Sequence, residues 1–441
     1  MAADPGHNMF AASRQWLQRA LKTVPTGSQT FSKAHIQFPD GHAPLFVDRA
    51  KGARFTDVDG NEFVDLAMGL AAIGLGYCDP DVDAAIRGQL ERGISFSLPT
   101  QLEAELSELI VDVVPSAEMV RFAKNGSDVT SAAVRLARAF TGRERVLACG
   151  YHGWHDWYIG TTTRDLGVPG GIKALTDKAP ANDPNAVEAA LKKHPDGFAA
   201  IVVEPMLLDD PRASLAALRA LADRYGAILV FDEVVTGFRF ALGGAQQLYG
   251  VTPDLTCLGK SMANGMPLSA VTGRRDIMRL MDDIFFSGTF GGEALSLAAS
   301  LAAVRKIRGK GVIEHLWTMG GRLQAELRRT IQKYGLEDVL SVINEPCLGF
   351  IAVSEGRGNP QPVNRTFMMA EMIRQGVFMN GSLTMCHAFG EAELKQVAQA
   401  FDAFAERFAH ELKTPNLAAR LPYPPITPIF TVRKPGDGKK G

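Results

Sequence analysis

The sequence predicts an α/β protein with one large, mostly parallel sheet domain and a smaller α+β domain assembled from both ends of the chain. Two observations carry this. Short apolar runs without polar alternation (120–123, 146–149, 199–203, 227–231) recur between segments of helical period, as fully covered parallel strands do. Residues 45–67 and 335–413 instead mix short strand-like pieces with helices. At 441 residues, with 46 % hydrophobic and 22 % charged side chains, the chain is of globular composition and long enough for a substantial core.

The elements follow in order. Residues 9–24 keep apolar side chains at helical spacing until Pro25-Thr26-Gly27 stops them. Strand pieces over 45–67 enclose Asp57-Val58-Asp59-Gly60-Asn61, a hairpin-turn sequence. Helices are expected over 82–92, 101–114 and 127–140, alternating with strands 120–123 and 146–149. Strand 199–204, helix 215–225 and strand 227–234 continue the pattern. Helices 292–307 and 312–333 lead to strands 348–353 and 376–379 and a last helix over 392–410. The Pro- and Lys-rich end is expected to pack poorly. The implied boundaries are 1–75 for the first part of the small domain, 76–315 for the large domain, 316–421 for the second part, and 422–441 for a tail.

Composition excludes several function classes. Lys plus Arg number 47 against 48 Asp plus Glu, so no basic footprint for nucleic acid exists. Five widely spaced cysteines without a CxxC argue against a disulfide framework or a zinc site and for a reducing cytoplasm. Residues 1–8 lack the pattern of a secretory signal, and the apolar runs are too short to span a bilayer. A cytoplasmic enzyme without membrane partners is the expectation.

The chemistry begins where an apolar strand ends in Asp232-Glu233, since α/β sheets bind ligands at the carboxyl ends of their strands. A second apolar run, 255–258, leads to Gly259-Lys260-Ser261. Burial there would lower the lysine pKa and leave a neutral amine able to form a Schiff base. Singly, these read equally as a capping Asp and a solvated Lys. Together, a buried carboxylate and an imine-forming lysine are the minimum apparatus for pyridoxal phosphate: the acid keeps the pyridine nitrogen protonated and the lysine holds the aldehyde and moves protons. Lys124-Asn125-Gly126-Ser127-Asp128 is a strand-to-helix loop, fit to bind phosphate or simply to cap the helix. Tyr151, in the Gly150–His155 hinge, suits stacking on a pyridine ring or an ordinary aromatic contact. His152 and His155 have i, i+3 spacing, but no third ligand follows at a recognisable spacing, so no metal is expected. The glycine run Gly69–Gly76 lacks the strand-turn-helix context of a dinucleotide fingerprint.

In this order, KNGSD, GYHGWHD, VVEP, VFDEVVTGFR, LGKSMANGMP and SGTFGGEAL make the chain resemble the class III (fold-type I) pyridoxal-phosphate aminotransferases, and within them the glutamate-1-semialdehyde 2,1-aminomutase branch. The resemblance runs from about Val24 to Phe404. It implies a seven-stranded large sheet and a homodimer with shared active sites. Lys260 would be the Schiff-base lysine, and Asp232 the partner of the pyridine nitrogen. Tyr151 and Val234 would cover the two ring faces, with His152 also at the cofactor. Gly126 and Ser127 would hold the phosphate, Asn125 standing where the family usually has Ser. Glu204 would orient the cofactor side of the pocket, and Thr289 would reach the phosphate of the neighbouring subunit's cofactor.

Three departures concern the substrate. Lys33 occupies the place of the aminomutase arginine that binds the substrate carboxylate, keeping charge but losing the bidentate fork. The segment after Glu204 is shorter than the family's loop, and Met379–His387 contains no acid where that branch carries a glutamate. Lys33 and Trp154 are the candidate substrate contacts. The expectation is a transaminase exchanging an amino donor with a small polar or sugar-like carbonyl acceptor. The alternative is the intramolecular aminomutase.

Overall fold

The computed structural model describes residues 9–194, 196–414 and 416–427. The N-terminal residues read for a signal and the last part of the tail lie outside them. The chain forms two compact units, one of the residues through Asp79 with those from Glu314 onward, the other of Pro80–Ile313.

The first unit opens with the helix Ala11–Ala20, shorter than the 9–24 period. Pro25 disfavours the α conformation at the residue before it, and Val24 is extended. Strands β1 (Val47–Lys51), β2 (Arg54–Asp57) and β3 (Glu62–Asp65) form an antiparallel meander. The hairpin turn is as the sequence suggests: Asp57 Oδ1 accepts from the Asp59 and Asn61 amides, and Gly60 sits at φ +88°.

The second unit holds β4 (Met119–Ala123), β5 (Arg145–Cys149), β6 (Thr176–Lys178), β7 (Phe198–Val203), β8 (Ile228–Glu233), β9 (Leu255–Leu258) and β10 (Ser269–Gly273). They make one seven-stranded sheet in the order β4-β10-β9-β8-β7-β5-β6. β10 runs antiparallel to both its neighbours, and the other pairings are parallel. β7, β8 and β9 are buried along their whole length, which is why they read as unbroken apolar runs. β6 (TDK) and β10 (SAVTG) carry no such run and escaped sequence reading. The helix Gly126–Thr141 packs Val129, Val134 and Leu136 into the core beside Val146, Val202 and Val230.

The chain then returns to the first unit with β11 (Leu340–Ile343), β12 (Leu348–Val353), β13 (Val377–Phe378) and β14 (Ser382–Thr384). β13 pairs parallel to β3, so one sheet physically joins the two ends of the sequence. Its core gathers Phe10, Phe55, Phe63, Met369 and Ile373. The expected poor packing past Pro422 is corrected for the described part. Tyr423 and Ile426 are buried, and the Ile426 amide donates to Thr366 Oγ1 at 2.8 Å. Among the described residues no helix is long and apolar enough to cross a membrane.

Candidate active site

At the end of β8 two neighbouring acids point to opposite faces, as strand alternation requires. Glu233 is held by Thr236 Oγ1 and by the Ala245 and Gln246 amides, a structural knot. Asp232, 5 % exposed, instead meets His152 Nδ1 at 2.9 Å through Oδ2 and accepts the Val234 amide through Oδ1. His152, which the resemblance placed at the cofactor, is thus the hydrogen-bond partner of Asp232. Its ring is buried, stacked on Trp157 with centroids 5.9 Å apart, and its Nε2 has no hydrogen-bond partner among the described residues. His155 goes elsewhere, to Ser131 Oγ at 2.7 Å.

The register of β8 on β9 sets Asp232 opposite Cys257, three positions before Lys260. Gly259 is extended and Lys260 adopts φ +47° at the head of the short turn Lys260–Ala263. A left-handed non-glycine residue costs roughly 1–2 kcal/mol and is the kind of strain that clusters at functional sites. Burial pushes the Lys260 ammonium down from its ordinary value, and the charge of Arg239 adds to this, while Glu204 and Asp232 oppose it. Arg239 is fully buried and donates to Ser261 Oγ at 2.9 Å. Sequence reading missed it, because nothing in Gly237-Phe238-Arg239-Phe240 distinguishes a buried arginine from an exposed one.

The hinge after β5 is built on glycines. A Cβ on Gly150 (φ +121°) would sit 2.8 Å from Glu204 Cβ, and one on Gly153 (φ +96°) would sit 2.2 Å from Ser127 Oγ. The Tyr151 amide donates to Glu204 Oε2 at 3.3 Å. The Tyr151 ring is half exposed, with its edge contact to Tyr158 at 5.5 Å. Burial, then the Asp232 charge, pushes the Glu204 carboxyl up to about 7. Lys178, also unforeseen, donates to Tyr158 Oη at 3.3 Å and is pushed down to about 8 by burial.

Asn125 resolves the ambiguity of its loop in an unexpected way. Its Oδ1 accepts the Ser127 and Asp128 amides, and Asp128 Oδ2 answers the Asn125 amide, a reciprocal cap on a 16-residue helix. Two of the amides suited to a phosphate are therefore engaged by Asn125 itself. Gly126 and the Ser127 hydroxyl remain; Ser127 Oγ accepts the Trp154 amide at 3.2 Å. The Val234 methyls lie where side chains on Gly126 or Gly259 would press them, at 3.0 and 3.3 Å from the respective Cβ positions.

These residues fit pyridoxal phosphate. An amine with depressed proton affinity, a buried carboxylate oriented by a histidine, a helix N-terminus without a Cβ, and an aliphatic and an aromatic wall are all supplied by one unit. Thr289 borders the residues that flank the Asn125–Ser127 loop. It is exposed and lines a cavity of about 360 Å³ with Lys124, Asp128, Arg135 and His155. Trp154 is two-thirds exposed, its ring against His155. Lys33 belongs to the first unit, where it lines a cavity of about 200 Å³ with Asp65, Tyr77 and Asn380. The glycine run beside that cavity forms a left-handed turn, Met68, Gly69, Leu70 and Ala71 all at positive φ. Asp65 pins it by accepting the Ala67 and Met68 amides.

The sequence profile described as Aminotransferase class-III matches residues 37–386. A glutamate-1-semialdehyde 2,1-aminomutase of Roseiflexus castenholzii is 45 % identical over 295 residues, 63 % of this chain and 68 % of that protein. A 3-aminobutyryl-CoA aminotransferase of Cloacimonas acidaminovorans is 31 % identical over 379 residues, covering 84 % and 90 %. Among solved structures, the PLP internal aldimine form of the FumI protein of Sphingopyxis sp. MTA144 superposes with a TM-score of 0.85 at 27 % identity, covering 92 % of this chain and 98 % of that one. The chain therefore belongs to the class III aminotransferases, a family of pyridoxal-phosphate-dependent enzymes.

Proposed function

We propose that this chain is a transaminase that exchanges the amino group of a donor with a small polar or sugar-like carbonyl acceptor. The observation that carries the reading is the convergence of Asp232, held by His152 at 2.9 Å, with Lys260, whose ammonium is disfavoured by burial. When bound, pyridoxal phosphate supplies a reactive aldehyde and an electron-accepting ring.

The chain's own residues do the rest. Lys260 Nζ, its ammonium disfavoured by burial, would take a proton from the substrate carbon and pass it to the cofactor carbon. Asp232 holds the proton of the ring nitrogen, and the imidazole keeps its carboxylate in one orientation. Tyr151 and Val234 cover the ring faces and exclude water. Gly126 and Ser127 hold the phosphate, with Asn125 as the helix cap. Glu204, pushed up to about 7 by burial, accepts the Tyr151 amide and orients the cofactor side of the pocket. Thr289 completes the phosphate site of a second copy, making a homodimer the working unit. Lys33 and Trp154 contact substrate. Free cysteines throughout, four buried and Cys78 exposed, suit the cytoplasm.

The aminomutase reading has its own support in the 45 % identical relative of that name. Lys33 and the acid-free segment Met379–His387 favour exchange between two molecules. The test is the visible spectrum of the loaded protein as glutamate, alanine and other donors are added singly. Bleaching with release of a keto acid supports the transaminase. A protein inert to donors that isomerises glutamate-1-semialdehyde supports the aminomutase. Lys260→Ala is expected to lose turnover by several orders of magnitude in either case; unchanged turnover refutes the site.

A further inference from the structure

A second cationic side chain of the first unit lies in a cavity that shares Asn380 with the one lined by Lys33. Arg365, on the helix Gln361–Arg374, lines a cavity of about 380 Å³ with Gln361, Asn380, Gly381 and Ser382. It is partly buried, and among the described residues its guanidinium donates to the Asn380 carbonyl at 3.1 Å and pairs with no carboxylate. Burial pushes it down from its ordinary value with nothing to offset the loss of water. A desolvated cation facing open space gains more from an anion than any neutral group there does.

The surroundings are built to the same end. Asn380 Oδ1 is tied to the Ser382 amide at 3.2 Å and Ser382 Oγ at 2.7 Å. This fixes the amide so that its Nδ2 donors remain for the cavity. The first turn of the helix Gln361–Arg374 borders the same space, and its dipole favours negative charge. Gly381, at φ +104°, lets the backbone turn between Asn380 and Ser382.

We propose that Arg365, with the Asn380 amide, is a binding site for a carboxylate or phosphate group. The anion is a free carboxylate or phosphate that binds independently of the transaminase reading.

The site is tested on the cofactor-loaded full chain, with Arg365→Gln and Arg365→Lys. Calorimetric titration with inorganic phosphate and with glutarate is expected to show binding to the parent protein. Loss of one charge-assisted contact should weaken it about tenfold or more in Arg365→Gln. Arg365→Lys, which keeps the charge without the fork, should fall between. Equal anion binding by parent and both variants, or none by the parent, overturns the proposal.

Discussion

Replacing Glu204 by glutamine isolates one proton in the site. The carboxyl is pushed from an ordinary value of 4.5 up to about 7, by burial first and the Asp232 charge second, with His152, the Tyr151 amide and Lys260 pulling the other way. The folded chain therefore binds a proton that the unfolded chain releases between pH 4.5 and 7, so this group destabilises the fold as pH rises through that window. The 2.5-unit difference, at about 1.4 kcal/mol per unit, sets a ceiling of about 3 kcal/mol on the penalty. Glutamine mimics the neutral acid. Glu204→Gln should match the parent at about pH 4 and below, gain on it by about 1 kcal/mol per pH unit through the window, and level off above pH 7. At about 2 °C per kcal/mol for a unit of this size, melting midpoints should diverge by up to about 6 °C. Thermal melts of the cofactor-stripped protein at fixed concentration from pH 4 to 8 read this, and titrating groups not coupled to Glu204 cancel in the difference. Midpoints that stay parallel across that range refute the assignment.

Four further substitutions address separate parts of the molecule. Gly153→Ala places a Cβ 2.2 Å from Ser127 Oγ at φ +96° and should weaken cofactor retention about tenfold by displacing that hydroxyl. Gly142→Ala, at φ +68° in open space, should cost only the backbone strain of about 1 kcal/mol and leave retention unchanged. Asp254 accepts from Arg219 at 2.8 Å, the Leu229 amide at 2.8 Å and Arg274 at 2.9 Å. Burial raises its pKa, but the arginine bonds overcome this and hold it below 3.8. Asp254→Asn should cost about 2–4 kcal/mol at neutral pH, and the parent's contribution should vanish as pH falls through that lowered value; equal urea midpoints at pH 7 contradict this. Thr289→Ala should reduce cofactor retention and dimer stability together, measured by dialysis and by sedimentation at high dilution. A change in neither removes Thr289 from the shared site.

The sequence by itself determined the architecture of the large unit and where the two residues proposed as its catalytic pair stand in it. β7, β8 and β9 are covered on both faces, so their apolar runs are visible without any partner strand, and Asp232 and Lys260 stand at or just past such strand ends. Turn chemistry is equally local, as Asp57–Asn61 illustrates. Tertiary structure decided what depends on contacts distant in sequence. Asp232 and Glu233 are adjacent acids, and only the loop at Thr236–Gln246 and the hinge at His152 separate the structural one from the one in the site. His152 became an orienting partner because β5 and β8 end beside it, a pairing 80 residues apart. Asn125 turned out to cap its helix reciprocally with Asp128, taking amides that the motif alone would assign to phosphate. The composite unit rests on two residues of β13 beside β3; the strand itself was legible over 376–379, but its parallel partner, more than 300 residues away, was not. The proton on Glu204 and the uncompensated charge of Arg365 have the same origin: burial depends on every neighbour, and no local run of residues encodes it.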